Sequence, residues 1–387
     1  MTSSTVEAPP IELGPRYRAV RARAAEAAAR FAADAVAIRG YTVEHGAVRP
    51  DVWRAFCETG CLDAAFDGQR EAGLLGTALV LEAFAEQGIV LWMPVLSIAI
   101  ARAIDQAGPE AARAAWLPGV ASGAVHLAMA ATEPESGHNL FGVRTEIRAQ
   151  GDVFTVSGRK RISSGVDLAE RVLVLGRTGG GHTAVLVDPR STGVTVTEVP
   201  MRFREGVRQY QLDFEDVVVP AEAVVGVPGQ GMRVLWSFAA VERILTAALC
   251  AGSASYALER AVAHAKSRVV TGSIPIGAHQ SIAHPLARLH ARATAVRLLV
   301  WQAAARCDTA AGNDVAAEAN AAKVLASELA FDCADHAVQV LGAEAWNERN
   351  GWLDHYLDAR LSRSGPVSTE FALNYLAEHV LGLPMHR

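Results

Sequence analysis

Arg171-Val-Leu-Val-Leu175 and Ala184-Val-Leu-Val187, separated by the turn Gly179-Gly-Gly181, decide the architecture of this 387-residue chain. Short runs of branched apolar residues punctuated by glycine read as strands. Moving outward, Phe154-Thr-Val-Ser157, Val194-Thr-Val-Thr197 and Leu212-Asp-Phe214 repeat the pattern, with turns at Gly151-Asp152 and Ser191-Thr-Gly193. The period of two holds from about residue 126 to about 225. Before it, Arg16 to Arg39 is alanine-rich with apolar residues at helical spacing, and Asp51 to Thr59 and Leu74 to Gln87 continue the helical reading. Pro118-Gly119 and Gly123 are expected to end it. After Gly231 the spacing predicts helices over about 231–266, 281–311, 315–342 and 368–382. The expected fold is α+β, in three parts: an N-terminal helical domain (1–125), a middle β-barrel-like domain (126–228) and a C-terminal helical bundle (229–387). No repeat of 20–50 residues is present.

Composition excludes several functions. Apolar residues make up 51% of the chain, charged residues 20%, and the net charge is −5. Scattered, outnumbered basic residues do not make a nucleic-acid footprint. Lysine occurs only at Lys160, Lys266 and Lys323, a bias of the kind GC-rich coding produces. The five cysteines are odd in number and mostly far apart, so a reducing cytoplasm is expected rather than a disulfide framework. Cys57 and Cys61 lack a histidine cluster and read as buried structural thiols. Residues 1–14 are polar, with Pro9 and Pro10, and no secretory leader is expected. The apolar run Ile89 to Ile104 contains Pro94 and is too short to span ~30 Å of hydrocarbon. It reads as a buried helix, and no membrane insertion is expected. The glycine string Gly226-Val-Pro-Gly-Gln-Gly231 fails the dinucleotide spacing and has no acidic partner about 20 residues on, so it reads as a loop into a helix.

A set of ordered motifs adds a family. Trp116-Leu-Pro-Gly-Val-Ala-Ser-Gly123, followed by Ala131-Thr-Glu-Pro-Glu-Ser-Gly137, resembles the acyl-CoA dehydrogenase segment ending in T-E-P-x-A-G-S-D. Gly158-Arg-Lys-Arg-Ile-Ser-Ser164 is similar to G-x-K-x-W-I-T, and Phe214-Glu-Asp-Val-Val-Val-Pro220 to F-x-x-V-x-V-P. Arg268, Gly272 and Gln280 fit R-x-x-F-G…Q, Gln339-Val-Leu-Gly342 fits Q-x-x-G-G, and Asp358-Ala-Arg360 fits R-D-A-[RK]. Each motif alone is weak, but their order and spacing from about residue 75 to 382 are those of the family.

The resemblance implies an N-terminal helical domain, a β domain and a C-terminal four-helix bundle, assembled as a homotetramer or dimer around FAD. It implies that Thr132 and Ser164 hydrogen-bond the flavin ring, with Ser164 at N5, and that Gly137, His138 and Ile162 lie beside the cofactor. Arg268, Gln280, Gln339 and Gly342 would hold the pyrophosphate and adenosine of a neighbouring subunit's FAD. An uncharged hydroxyl suits a flavin edge and a guanidinium suits phosphate oxygens.

Such chemistry needs a carboxylate to take the α-proton. Most members carry it just after R-D-A-[RK]; here that position, counted without gaps, is Pro366. Isovaleryl- and long-chain-type members place the base on the first bundle helix instead, before an arginine, where this chain has Glu242 and Arg243. Read independently, Glu242 falls in the apolar stripe of Phe238, Leu245 and Leu249, where desolvation raises a carboxylate toward a useful base. Arg243 would lie near the thioester. Pro366 brings a departure, because the family polarises the thioester carbonyl partly with a backbone N–H there and proline has none; a one-residue slip would put Val367 in its place. Ile162 for tryptophan, His138 for serine and Thr271 for phenylalanine are further departures. The expected activity is FAD-dependent α,β-dehydrogenation of an acyl thioester, on coenzyme A or an acyl carrier protein, with branched or substituted acyl chains among the options. An electron-accepting flavoprotein or oxygen would reoxidise the flavin. A catalytically degenerate subunit of a mixed oligomer and a flavin monooxygenase of the same fold are the alternatives, with Glu370 the next candidate base.

Overall fold

The structure is a computed structural model that describes residues 13–64, 73–202, 207–309 and 315–384. The N-terminal stretch in which no leader is expected lies mostly outside the described residues. Among the described residues seven α-helices come first: α1 (Pro15–Ala29), α2 (Ala35–His45), α3 (Pro50–Cys57), α4 (Cys61–Ala64), α5 (Gly73–Ala85), α6 (Trp92–Ala107) and α7 (Glu110–Ala121). The helix expected from Arg16 to Arg39 is in fact two, parted by a 3₁₀ turn at Ala32–Asp34. No breaker residue marks the division. α1 buries Val20, Ala24, Ala27 and Ala28 and packs on α5, whereas α2 turns so that Arg39 Nη1 donates to Gly351 O at 3.2 Å. Tertiary packing overrides alanine's helix propensity there. Pro118 likewise does not end α7 but sits inside it, near its C-terminus. Gly123, at φ +76°, is the stop, and a Cβ there would meet Cys57 Sγ. None of the five cysteines is disulfide-bonded, and burial pushes the Cys57 thiol up to about 11 and Cys61 to about 12.

The strands are β1 (Leu127–Ala130), β2 (Glu146–Gln150), β3 (Val153–Ser164), β4 (Arg171–Thr178), β5 (Gly181–Val187), β6 (Val194–Val199), β7 (Gln209–Pro220) and β8 (Val224–Val225). Their order is β6-β7-β3-β2-β4-β5-β8, with β1 parallel to β4. The alternation of β4 explains its unbroken apolar run. Val172 and Val174 face the core inside the β domain, while Leu173 and Leu175 join the helical core. β5 does the same with Val185 and Val187 on one face and Ala184 and Leu186 on the other. Two buried faces need apolar residues at every position.

The loop at 226–230 leads, as expected, into a helix. α8 (Gly231–Ser267), α9 (Gln280–Thr309), α10 (Ala316–Leu341) and α12 (Thr369–Tyr375), the last continued by a π-type turn at Leu376–Val380, form a four-helix bundle, with α11 (Trp352–Leu361) packed on α10. Gly231 anchors the start of α8 on the sheet: a Cβ there would lie 2.8 Å from the Thr183 carbonyl carbon, and Gly229 N donates to Thr183 Oγ1 at 3.0 Å. α8 is long and apolar enough to cross a membrane by length and composition, but it is mostly buried among α5, α6, α9, α10 and β5.

A buried charge network ties the N-terminal helices to the bundle. Glu82 on α5, fully buried, accepts from Trp301 Nε1 at 2.7 Å and pairs with Arg297. Arg297 also pairs with Glu86, which accepts from Arg21 on α1 at 2.8 Å. Removing the shared cation leaves the buried Glu82 without a cation and Glu86 with Arg21 alone, which costs about 3–5 kcal/mol. Arg297→Met should therefore lower the urea unfolding free energy by about that amount; a loss below about 1 kcal/mol would show that the network is energetically idle.

Candidate active site

The loop between β1 and β2 carries Ala131-Thr-Glu-Pro-Glu-Ser-Gly137, and one buried ion pair holds it. Lys160 Nζ on β3 lies 2.8 Å from Glu133 Oε1 and donates to Ala131 O, also at 2.8 Å. Glu133 accepts three further bonds, from Arg144 N (2.6 Å), Thr145 N (2.9 Å) and Thr145 Oγ1 (2.6 Å). Burial drives the Lys160 ammonium down to about 8, against the pull of Glu133. Burial acts to raise Glu133, but the bonds from Lys160, Thr145 and the two backbone N–H groups outweigh it and hold the carboxyl below its ordinary range. Both members are satisfied, the condition under which a buried pair is tolerated.

That pair fixes the neighbours expected to meet a flavin. Thr132 Oγ1 donates to Arg161 O at 2.5 Å, and Arg161 N returns a bond to Thr132 O at 3.0 Å. Next in sequence, Ile162 adopts φ +60° at a bulge between β3 and β7 and is 45% exposed. A β-branched residue in the left-handed region carries about 1–3 kcal/mol of strain, which persists where surroundings impose it and clusters at functional sites. Ser164 Oγ bonds the side-chain amide of Gln209, at 2.8 Å from Nε2. Gly137 is exposed, with open space where a Cβ would be.

His138 extends the loop to the bundle. Its ring stacks on Phe371 of α12, centroids 5.3 Å apart, and burial followed by the charges of Lys323 and Arg243 lowers its proton affinity. Those cations belong to the seam between α8 and α10, the most extensively packed helix pair. Glu242 is nearly buried there, and burial raises its carboxyl to about 7, against the opposing influence of Arg243 and Lys323. Arg243 is lowered by burial, and its buried Nε has no hydrogen-bond partner among the described residues. The structure thus brings Glu242, Arg243 and His138 into one electrostatic cluster. Glu370 belongs to its exposed edge: a backbone N–H at the start of α12 holds its carboxyl below the usual range. Lys323 was not among the residues singled out in the sequence; its only signal is a lysine in the alanine-rich run Ala319 to Ala326.

The remaining candidates lie elsewhere. Arg268 follows α8 at its far end, roughly 39 Å along the helix from Glu242. It is exposed, as are Gln280, Gln339 and Gly342. Gly342 has φ +59° at the end of α10. In the segment before α12, Pro366 is exposed and follows a cis peptide bond, while Val367 is buried.

Models of the acyl-CoA dehydrogenase N-terminal, middle and C-terminal domains match residues 18–124, 128–217 and 229–381. The chain belongs to the acyl-CoA dehydrogenase family. Among its relatives is acyl-CoA dehydrogenase FadE12 of Mycobacterium tuberculosis, 37% identical over 320 residues, which are 81% of this chain and 82% of the relative. Cyclohex-1-ene-1-carbonyl-CoA dehydrogenase of Geobacter metallireducens is 28% identical over 342 residues, 85% of this chain and 89% of that protein. Butyryl-CoA dehydrogenase from Megasphaera elsdenii superposes with a TM-score of 0.86 at 25% identity, over 96% of this chain and 99% of that structure. Like its family, the chain is an FAD-dependent oxidoreductase. Its residues fit that cofactor: uncharged hydroxyls at Thr132 and Ser164, unfilled space at Gly137, an outward-facing Ile162, and an arginine at 268 with no ion pair among the described residues.

The buried acid has a measurable signature. A carboxyl raised from 4.5 to about 7 contributes stability that is present below pH 4.5 and lost as pH rises through about 7. Glu242→Gln, which never ionises, should gain about 3 kcal/mol on the parent between pH 4 and pH 8 in denaturant unfolding. A constant difference across that range would mean that Glu242 is solvated.

Proposed function

We propose that this family member removes two hydrogens from the α and β carbons of an acyl-CoA, with Glu242 taking the α-proton. One observation carries the assignment: a carboxylate nearly buried on α8, raised to about 7 and flanked by the cluster that joins the β domain to the bundle. A base poised near the operating pH is the efficient one. Bound FAD supplies the acceptor for the β-hydride. Thr132 and Ser164 would hold its ring, with Gly137, His138 and Ile162 around it, and Arg268, Gln280, Gln339 and Gly342 would reach the adenosine end of a partner subunit's cofactor. Arg243 would lie along the thioester. The rim of Ile162, His138 and Phe371 would shield the reacting carbons from water.

An acyl thioester with a branched or substituted chain is the substrate class that this position of the base favours. Coenzyme A is the carrier favoured by the names of the relatives, an electron-transferring flavoprotein the acceptor, and a homotetramer in the cytoplasm the working form. A second reading rests on Pro366, which removes an N–H from the segment expected to polarise the thioester carbonyl. It would leave a degenerate subunit or an oxygen-using flavoenzyme.

The purified protein should be yellow, and an acyl-CoA panel should bleach it without oxygen at a rate rising with pH through about 7. Glu242→Gln should keep the flavin and stop the bleaching, since a carboxamide accepts no α-proton. Bleaching at the parent rate would move the base elsewhere. Colourless protein that takes up no FAD would favour the degenerate subunit, and a yellow protein that no acyl-CoA bleaches the oxygen-using reading. Pro366→Ala, restoring an N–H, should accelerate reduction by up to ~10²–10³. A slower, equally stable variant would show that the proline shapes the site instead.

A further inference from the structure

Among the described residues two lysines are fully buried, and they differ in one respect. Lys160 bonds Glu133 and a carbonyl. Lys323, on α10, is fully buried too, yet its Nζ has no hydrogen-bond partner among the described residues. Burying an ammonium without a partner is strongly unfavourable, and folds keep such groups where they act. The seam around it is polar in the same unfinished way: Thr246 Oγ1 and Asn320 Oδ1 are buried without partners, and so is Arg243 Nε. Along α8, positions 242, 243, 246 and 250 follow helical spacing, as do 320, 323 and 327 along α10.

The charges that face Lys323 can be named. From α8 come Cys250, Arg243 and Glu242, from α12 comes Glu370, and from the β1–β2 loop comes His138. After burial, Cys250 has the largest influence and favours the ammonium, while Arg243 repels it. Glu370 is solvent-exposed, so water screens it. Glu82 of α5 and Glu86 just after it are already matched to Arg297 of α9 and Arg21 of α1, beside Ser255 of α8. Glu242 is the carboxylate that shares Lys323's dry surroundings, and between two buried charges screening is least.

We propose that Lys323 is a positioning residue for the reaction, its buried ammonium in the α8–α10 seam keeping the Glu242 carboxylate ionised. The proposal rests on Glu242 being the base. Arg243 acts on Glu242 first and Lys323 second, but Arg243 sits beside Glu242 on the same helix. Lys323 stands on the facing helix, so its charge acts on the carboxylate from α10. The direction agrees on both sides: Lys323 lowers the proton affinity of Glu242, and Glu242 raises that of Lys323, whose ammonium burial has driven down to about 8.

The test reads Glu242 directly, without turnover. In the FAD-loaded protein, infrared difference spectra against pH follow the protonated carboxyl band that Glu242→Gln removes. The parent midpoint is expected near 7. Lys323→Met, which keeps the length and removes the charge, should move it upward by about one unit or more, leaving about ten-fold less ionised Glu242 below the midpoint. Lys323→Arg should stay near the parent, and it is the contrast between the two variants that a merely space-filling lysine would not produce. If Lys323→Met does not fold, Lys323→Gln keeps a polar head group and is read in the same way. A midpoint unmoved on loss of the charge overturns the proposal. Flavin bleaching tests the other reading separately: a Glu242→Gln protein that bleaches normally refutes the base but leaves the infrared shift to be judged on its own.

Discussion

Desolvation of charge along α8 is the constraint on which the rest of this molecule depends. α8 touches α5, α6, α9, α10 and β5, so it is buried along most of its length, and any ionisable group on it must be compensated or displaced in pKa. The chain treats this differently at the two ends. Near Ser255, the acids of α5 meet Arg297, Arg21 and Trp301, and the network fastens helices. Near Glu242, compensation is incomplete. A buried polar atom without a partner costs about 1–3 kcal/mol, so the orphan atoms of Arg243, Thr246, Asn320 and Lys323 hold a substantial free energy in reserve. Partnerless buried atoms occur elsewhere as well, but here four of them share one helix seam.

The β domain answers with rigidity. Lys160 and Glu133 are satisfied on every side and lock the loop that bears Thr132, Gly137 and His138. The same loop pins Arg161, and the backbone at Ile162 is forced into a conformation that a β-branched residue avoids. Strain of that kind persists only when neighbours over-determine it. The ion pair, the bulge and the His138–Phe371 stack thus form one chain of constraint from sheet to bundle.

Much of this was legible in the residues. Periods of two and 3.6 placed strands β3 to β7 and the long helices, and the acid in the stripe of Phe238, Leu245 and Leu249 pointed to Glu242. What escaped had tertiary causes. Nothing local divides α1 from α2, since the break comes from where each helix must pack. Pro118 looked like a terminator, but near a helix C-terminus it removes one hydrogen bond and the helix continues for another turn. Lys323 escaped because a single lysine among alanines looks like a solvated face until α8 is seen to cover it. Arg297, Glu82 and Glu86 are far apart in sequence, and no spacing rule joins them.

The central claim is that the carboxylate of Glu242, carried on α8, is the group that meets the substrate's α-carbon. A crystal structure of the FAD-loaded protein with a non-reactive acyl-CoA analogue tests it most directly. The account predicts a Glu242 carboxylate oxygen about 3–3.5 Å from the α-carbon, with the analogue's thioester running past Arg243. An α-carbon facing Glu370, or lying beyond the reach of every carboxylate, would contradict it.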